Sequence, residues 1–271
     1  MKKISVLLLS LASLYAGAQN VKLTAGTKIT GNSSSTIDMD MGIGGQMKMA
    51  TSTTSVIMVT GMNDQSYKAD NTVIKLKMSE EGGGQNMSYD SENKADTASE
   101  QGKELGKMLN QPVAILIDKS NGTVADASPE KPAVSNDDNP FGSLLSSKSP
   151  ADAAGAAFFV LPAGIKAGSK WTDSTTENGL KAIKNYEVQS IKDGIAVIVV
   201  NAATSGNITK ERQGMEFTIN LSGTSVTTMN TNTATGLVQK TTTASNMSGT
   251  LDMMGQSLPI TMTMNSESVF N

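Results

Sequence analysis

The sequence predicts a mainly β protein of the α+β class, a curved antiparallel sheet or half-barrel with two short helices packed on it. Apolar and polar residues alternate with period two over several strand-length segments, as in strands that bury one face. Threonine is frequent and favours a pleated surface over a helix. The candidate hairpin turns are Asn121-Gly122, Asp193-Gly194 and Thr235-Gly236.

The predicted strands fall into two classes. Three segments alternate, so each should bury one face. They contain Ile74, Leu76 and Met78, then Phe217, Ile219 and Leu221, and finally Ile260, Met262 and Met264. Residues 56–59 and 196–200 are apolar at every position or nearly so. We therefore expect these two segments to be central or covered strands.

Two short helices are predicted. The first begins at Thr97, which has Glu100 three residues later in the capping-box pattern, and its region ends before Pro112. The second has Ser149 as its N-cap and Pro150 at its first position, and continues through an alanine-rich stretch. Both are short enough to pack across one face of a sheet.

The segment between the helices is rich in Pro, Ser, Asn and Asp and reads as a flexible connector. The predicted organisation is a signal peptide at 1–18, an N-terminal β-rich half with one helix at 19–126, the connector at 127–149, and a helix with a C-terminal β-rich half at 150–271. Both halves contain an apolar strand followed by a polar residue and a glycine turn. Duplication is one explanation, and the ordinary repetition of strand–turn–strand units in a meander is the other.

The first residues predict export. Lys2 and Lys3 precede an apolar run at 4–14, and small residues follow at 16–18, which is the pattern of a cleavable secretory signal. We expect cleavage near Ala18 and a mature protein in the periplasm or outside the cell. The apolar run is too short to span a bilayer, so we expect a protein that is not integral to the membrane.

Missing residue types narrow the chemistry. The chain has no cysteine and no histidine, which removes thiol nucleophiles, Ser-His-Asp catalysis and ordinary zinc sites. It has a formal net charge of −3 and a single arginine, Arg212, which argues against nucleic acid as a partner. We expect no enzymatic activity and no cofactor.

Several short motifs are spread over much of the chain. They are Phe159-x-Leu161-Pro162, Gly168-x-x-Trp171, Tyr186-x-Val188 and Asp118-x-x-x-Gly122-x-Val124. In these motifs the chain resembles a family of exported Gram-negative envelope proteins known only as a domain of unknown function. The resemblance implies an envelope location and a fold type, and it carries over no catalytic residue.

Methionine is unusually frequent, with 17 residues, and the stretch between Met108 and Met215 contains none. Methionines two apart on a strand project to the same face, and their flexible side chains suit irregular apolar partners. We therefore predict a methionine-lined groove for a lipid, an acyl chain or a hydrophobic peptide. The candidate groove residues are Met39, Met41, Met47, Met49, Met58, Met78, Met262 and Met264.

Two alternatives use the same residues differently. Met39, Met41, Met47 and Met49 have Met-x-Met spacing, and thioethers can bind Cu(I) without His or Cys. In the other alternative methionine simply replaces leucine in a filled core, and the protein is a structural adaptor that pairs with an envelope protein through exposed strand edges.

Overall fold

A computed structural model of the chain describes residues 20–42, 45–82, 85–127, 150–177, 179–212, 215–253 and 255–271. The predicted signal peptide and residues 128–149 of the predicted connector lie outside this part of the chain. The strands are β1 (Lys28–Asp40), β2 (Gln46–Met62), β3 (Ser66–Gly82), β4 (Gln85–Asp90), β5 (Pro112–Asp118), β6 (Val124–Asp126), β7 (Lys170–Glu177), β8 (Leu180–Lys192), β9 (Ile195–Arg212), β10 (Met215–Asn232), β11 (Val238–Met253) and β12 (Gln256–Phe270). The helices are α1 (Lys94–Ala98), α2 (Glu100–Gly106) and α3 (Pro150–Gly155).

The strands form one large antiparallel sheet, which confirms the predicted fold class. The order across it is β6-β5-β3-β2-β1-β12-β11-β10-β9-β8-β7, and β4 pairs with β3 beyond β5. The first and twelfth strands are the central pair, and from each of them the chain builds a meander outward. The sheet is open, because β6 and β7 are the outermost strands of the described order.

The first predicted helix is in fact two helices, and its predicted start is wrong. Asn93 caps α1 and Ser99 caps α2, each accepting a hydrogen bond from a backbone N–H two or three residues later. Thr97 lies inside α1, where its hydroxyl bonds the carbonyl of Lys94. Ser99 has an extended backbone and is both the C-cap of α1 and the N-cap of α2, so it separates the two helices. Pro150 begins α3 as predicted, while Ser149 lies outside the described residues.

A turn is present at each predicted place, but Asn121-Gly122, predicted as a two-residue hairpin, lies in a longer loop that the Asp118 N–H closes by donating to the Thr123 carbonyl. Asp193 and Gly194 both have positive φ, 51° and 75°, and connect β8 to β9 in the two-residue hairpin geometry. Gly122 also has positive φ, 75°, in the turn between β5 and β6. In that turn Asp118 accepts hydrogen bonds from Ser120, and these bonds lower the pKa of the Asp118 carboxyl.

Two strand predictions need correction. Ile74 was expected to share a face with Leu76, but the register shifts between Thr54 and Ser55, which leaves Ile74 at a bulge and 36% exposed. Residues 56–59 were expected to lie in a central or covered strand; β2 does lie inside the sheet, between β1 and β3, but it is not covered on both faces. Ile57 is buried, but Met58 is 36% exposed, because α3 and the segment after it, including Phe158, pack on the opposite face of β2.

The buried side chains concentrate on one face of the sheet, here called the inner face. At one end α3 packs over it, and Ala154 joins Ile29, Ile57 and Phe270 in a helix-covered cluster. A second cluster lies toward the opposite end of the same strands and contains no helical residue among those described. This methionine cluster consists of Met39, Met47, Phe217, Ile219, Leu221, Leu251, Ile260 and Met262.

Glycine on the inner face allows neighbouring strands to approach closely. Gly249 on β11 pairs with Leu221 and Ile260, both members of the methionine cluster. A Cβ added at Gly249 would overlap the backbone carbonyl of Asn220, so a side chain does not fit there without displacing β10. Glycine at such a position permits the bend that brings distant strands onto one cluster.

Candidate functional site

Four methionines form a continuous row on the inner face. Met39 on β1 is opposite Met47 on β2 and opposite Met262 on β12. Met262 is in turn opposite Met247 on β11. Directly opposed side chains on neighbouring strands share a face and lie about 5 Å apart. The row therefore presents thioether side chains from four adjacent strands at one level of the sheet.

This methionine row is largely buried. Met39 is 3% exposed, Met47 6% and Met262 9%. Phe217 and Ile219 on β10 belong to the same cluster, although β10 lies three strands from β1. Packing between these strands requires a strongly curved sheet, because neighbouring strands are about 4.8 Å apart. The side chains of the methionine cluster thus cover one another.

The other predicted groove residues divide into two groups. Met41 and Met49 are partly buried against the methionine cluster, and Met264 lies on the inner face opposite Ile37. Met58 lies on the outer face, so the structure does not place it with the others. Met78 is on the inner face, but it is opposite Thr51 and two rows away from the methionine row.

Met247 is part of the row and was missed from the sequence. The alternation of Met247 and Leu251 with polar residues on β11 could have indicated an inner-face position. Ser245 and Gly249 interrupt that alternation with small residues, so the segment does not stand out as apolar. Its place in the row became visible only from the pairing of β11 with β12.

A band of hydroxyl side chains crosses the inner face between the two apolar clusters. We call it the hydroxyl belt. It consists of two rows, Thr51, Ser35, Ser266, Thr243 and Thr227 in one, and Thr53, Ser33, Ser268 and Thr241 in the other. All nine are half-buried. The belt is about 19 Å wide across five strands, given a spacing of about 4.8 Å.

Aromatic side chains stand at both ends of the longer belt row. Tyr89 on β4 is opposite Met78, which extends the row in one direction. Tyr186 on β8 and Trp171 on β7 extend it in the other direction and stack on each other. Burial, and secondarily the negative charge of Asp173, raise the pKa of the Tyr186 hydroxyl.

The outer face carries a shallow cavity of about 510 Å³ over β8 to β11. Its lining includes the outer-face polar residues Lys181, Ser222, Thr224 and Asn246 as well as the apolar residues Ile183 and Ala203. Met247 is the one member of the methionine row among the residues that line it. This cavity is therefore not the methionine-lined groove that the sequence predicted.

Within the described residues no three acidic side chains come together in a way that could hold a metal ion. Met39 and Met47, two of the four candidate Cu(I) ligands, are directly opposed, and Met41 and Met49 border the same cluster. The described helices are all too short or too polar to cross a bilayer.

Residues 139–238 match a family of unknown function, DUF6263. This match agrees with the predicted resemblance to a domain of unknown function, and it covers the Phe159, Trp171 and Tyr186 motifs but not Asp118-x-x-x-Gly122-x-Val124. No curated protein matches the chain.

Among solved structures the chain is similar to lipovitellin, described in a structure of its lipid–protein interactions, with 10% identity and a TM-score of 0.49. The match covers 92% of this chain and 25% of lipovitellin, so the chain spans about a quarter of that protein. An outer membrane channel from Pseudomonas putida F1 gives 9% identity over 94% of this chain and 98% of its own, with a TM-score of 0.21. A mutant porin of Rh. blastica gives 9% identity over 90% and 100%, with a TM-score of 0.23. At these scores the similarities carry no functional argument.

Proposed function

We propose that the protein is an exported, non-catalytic binding protein that holds an apolar ligand against the methionine row. The ligand would be an acyl chain, a lipid or a hydrophobic peptide. The observation that carries this proposal is the row itself, in which four neighbouring strands each contribute one thioether side chain at the same level. Its location would be the periplasm or the extracellular space, after removal of the signal peptide near Ala18.

Methionine makes such a cluster adaptable. Its unbranched side chain has three rotatable bonds and packs against irregular apolar shapes. Met39 is only 3% exposed, so a ligand enters by displacing methionine side chains rather than by filling an open groove. The cluster contains no helical residue among those described, and side-chain rearrangement alone can therefore make room.

The first experiment asks what the protein carries. The protein is purified from its own envelope and analysed by native mass spectrometry and solvent extraction. We expect a bound species that the extraction removes and that has the mass of a lipid or an apolar peptide. The stripped protein should then bind a fluorescent acyl probe saturably.

Three variants with substitutions on β2 locate the binding. Met47→Gln puts a polar amide into the methionine row, and Met58→Gln makes the same change on the exposed face of β2. Met47→Leu keeps the volume and the apolar character of the site. We expect Met47→Gln to weaken probe binding about tenfold or more, while the other two variants bind like the wild type. Equal loss in both Gln variants would contradict the proposal.

A structural adaptor is the second candidate, and one observation favours it. Met39 and Met47 are almost inaccessible to solvent, as expected for a filled core in which methionine replaces leucine. An adaptor would pair with an envelope protein through an edge strand such as β7. In that case the purified protein carries no lipid, the acyl probe does not bind, and Met47→Gln only lowers the free energy of unfolding.

A further inference from the structure

The hydroxyl belt and the methionine row lie in sequence along the same strands. The inner-face positions on β1 change from Ser33 and Ser35 to Ile37 and Met39. On the antiparallel strand β12 they change in the same spatial direction, from Ser268 to Met262. Met39 is four positions after Ser35, which is about 13 Å along a strand. A polar surface therefore passes directly into an apolar one on two adjacent strands.

Most belt hydroxyls have no side-chain hydrogen bond within the described part of the chain. Ser33 bonds Ser268 at 2.8 Å, and Thr227 bonds Thr243 at 2.9 Å. The five belt residues whose hydroxyls form no side-chain hydrogen bond to a described residue are Ser35, Thr51, Thr53, Thr241 and Ser266. A hydroxyl can donate one hydrogen bond and accept two. The belt is thus half-buried and can still bond a ligand.

The belt is also uncharged. Its nine positions are Ser or Thr. The next inner-face row toward the methionine row has charged residues only at its outer strands, Glu80 on β3, Lys184 on β8 and Asp173 on β7. At the end of the belt, the buried hydroxyl of Tyr89 has no hydrogen-bond partner among the described residues. A surface of this kind offers hydrogen bonds without a counter-charge.

We propose that the hydroxyl belt is the headgroup subsite for an uncharged, hydroxyl-bearing amphiphile whose acyl chain lies on the methionine row. This inference rests on the proposed function. An uncharged glycerol or sugar headgroup exchanges its hydrogen bonds with water for bonds to the belt. A carboxylate or phosphate on the nine belt positions would lose water without meeting a cation among them, and moving an unpaired charge from water costs far more free energy than moving a hydroxyl.

Three probes with the same acyl chain test the headgroup. These are a 1-monoacylglycerol, the free fatty acid and the lysophosphatidic acid, each titrated below its critical micelle concentration into stripped protein. We expect the monoacylglycerol to bind about tenfold more tightly than either charged probe, which is the effect of one or two net hydrogen bonds. Fatty acid that binds as tightly as monoacylglycerol overturns this inference but leaves the proposed function intact. If none of the three binds, both proposals fail.

Paired serines on the two faces provide the matched variants. Ser35→Ala with Ser266→Ala removes two directly opposed belt hydroxyls. Ser34→Ala with Ser52→Ala removes two directly opposed hydroxyls on the exposed outer face of β1 and β2. We expect the belt variant to bind monoacylglycerol about tenfold more weakly and the fatty acid unchanged, and the outer variant to match the wild type for both. Unchanged monoacylglycerol binding in the belt variant would refute the headgroup assignment.

Discussion

The indole of Trp171 lies flat against the ring of Tyr186, with the two centroids 4.8 Å apart and the planes 3° from parallel. The two residues are directly opposed on β7 and β8. β7 is an edge strand of the described sheet, so this stack helps to hold β7 against β8. Phe159 extends it, with its ring 5.9 Å from that of Tyr186.

Trp171→Ala should lower the free energy of unfolding by about 2 to 3 kcal/mol. The change removes a partly buried indole and a stacked aromatic pair, which is worth about 0.5–1.5 kcal/mol beyond its buried area. Urea unfolding followed by circular dichroism measures the loss. Trp171→Phe keeps a stacked ring and should retain most of the stability, and an equal loss in both variants would contradict the role of stacking.

Tyr186 should make the protein less stable in alkali. Its folded-state pKa is raised above the usual value of about 10, so the folded protein holds this proton more tightly than the unfolded chain. The unfolded state then binds fewer protons above pH 10, and stability falls as pH rises from there through the folded pKa. Urea midpoints between pH 9 and 11 should fall less steeply for Tyr186→Phe, and parallel curves would contradict this assignment.

Gly249→Ala should be severely destabilising, by about 3 kcal/mol or more. The added methyl group overlaps the carbonyl of Asn220, and relieving that overlap requires β10 and β11 to separate. Gly61→Ala is the control, because a Cβ at Gly61 meets no atom within 4 Å. The free energy of unfolding of this control, measured by thermal unfolding, should stay within about 1 kcal/mol of the wild-type value. Similar losses at the two sites would show that close strand approach is not the cause.

Oxidation by hydrogen peroxide should separate the methionines by exposure. Met62 is 52% and Met58 is 36% exposed, whereas Met39 and Met47 are 3% and 6% exposed. We expect the exposed pair to become sulfoxides first and the buried pair last. Peptide mass spectrometry over an oxidant series gives the order. Early oxidation of Met39 would mean that the methionine cluster opens frequently in the free protein.

A titration with Ag(I), as a stable substitute for Cu(I), should show no saturable binding. We expect the row to pack as an apolar cluster, because apolar neighbours such as Phe217 and Ile219 surround it. Isothermal calorimetry with and without excess free methionine provides the measurement. Saturable binding that is lost in Met39→Leu but kept in Met58→Leu would establish the metal-site alternative instead.

Local patterns predicted much of the sheet. Alternation on β10 and β12 placed Phe217, Ile219 and Ile260 on the buried face, and all three are buried. The Asp193-Gly194 turn was predicted because few other residue pairs adopt positive φ at both positions. These features depend on residues close together in the chain, so the sequence alone is sufficient for them.

Features that depend on distant residues were harder to predict. The bulge at Ile74 exposes a side chain that simple alternation would bury, and nothing in the local sequence marks it. Met58 falls on the outer face because β2 is one continuous strand, so its parity is opposite to that of Met47 and Met49. The row of Met39, Met262 and Met247 requires the pairing of the first and twelfth strands, which no short motif encodes.

That central pairing has a consequence for how the protein matures. Ser33 and Ser268 are 235 residues apart in the chain, yet their hydroxyls are 2.8 Å apart. Each meander can assemble from near neighbours, but β1 and β12 can pair only after β12 has been synthesised. Such long-range closure slows folding, and until it happens β1 and β12 each leave an unpaired edge that can capture another chain. We therefore expect the protein to be most prone to aggregate before β1 and β12 pair.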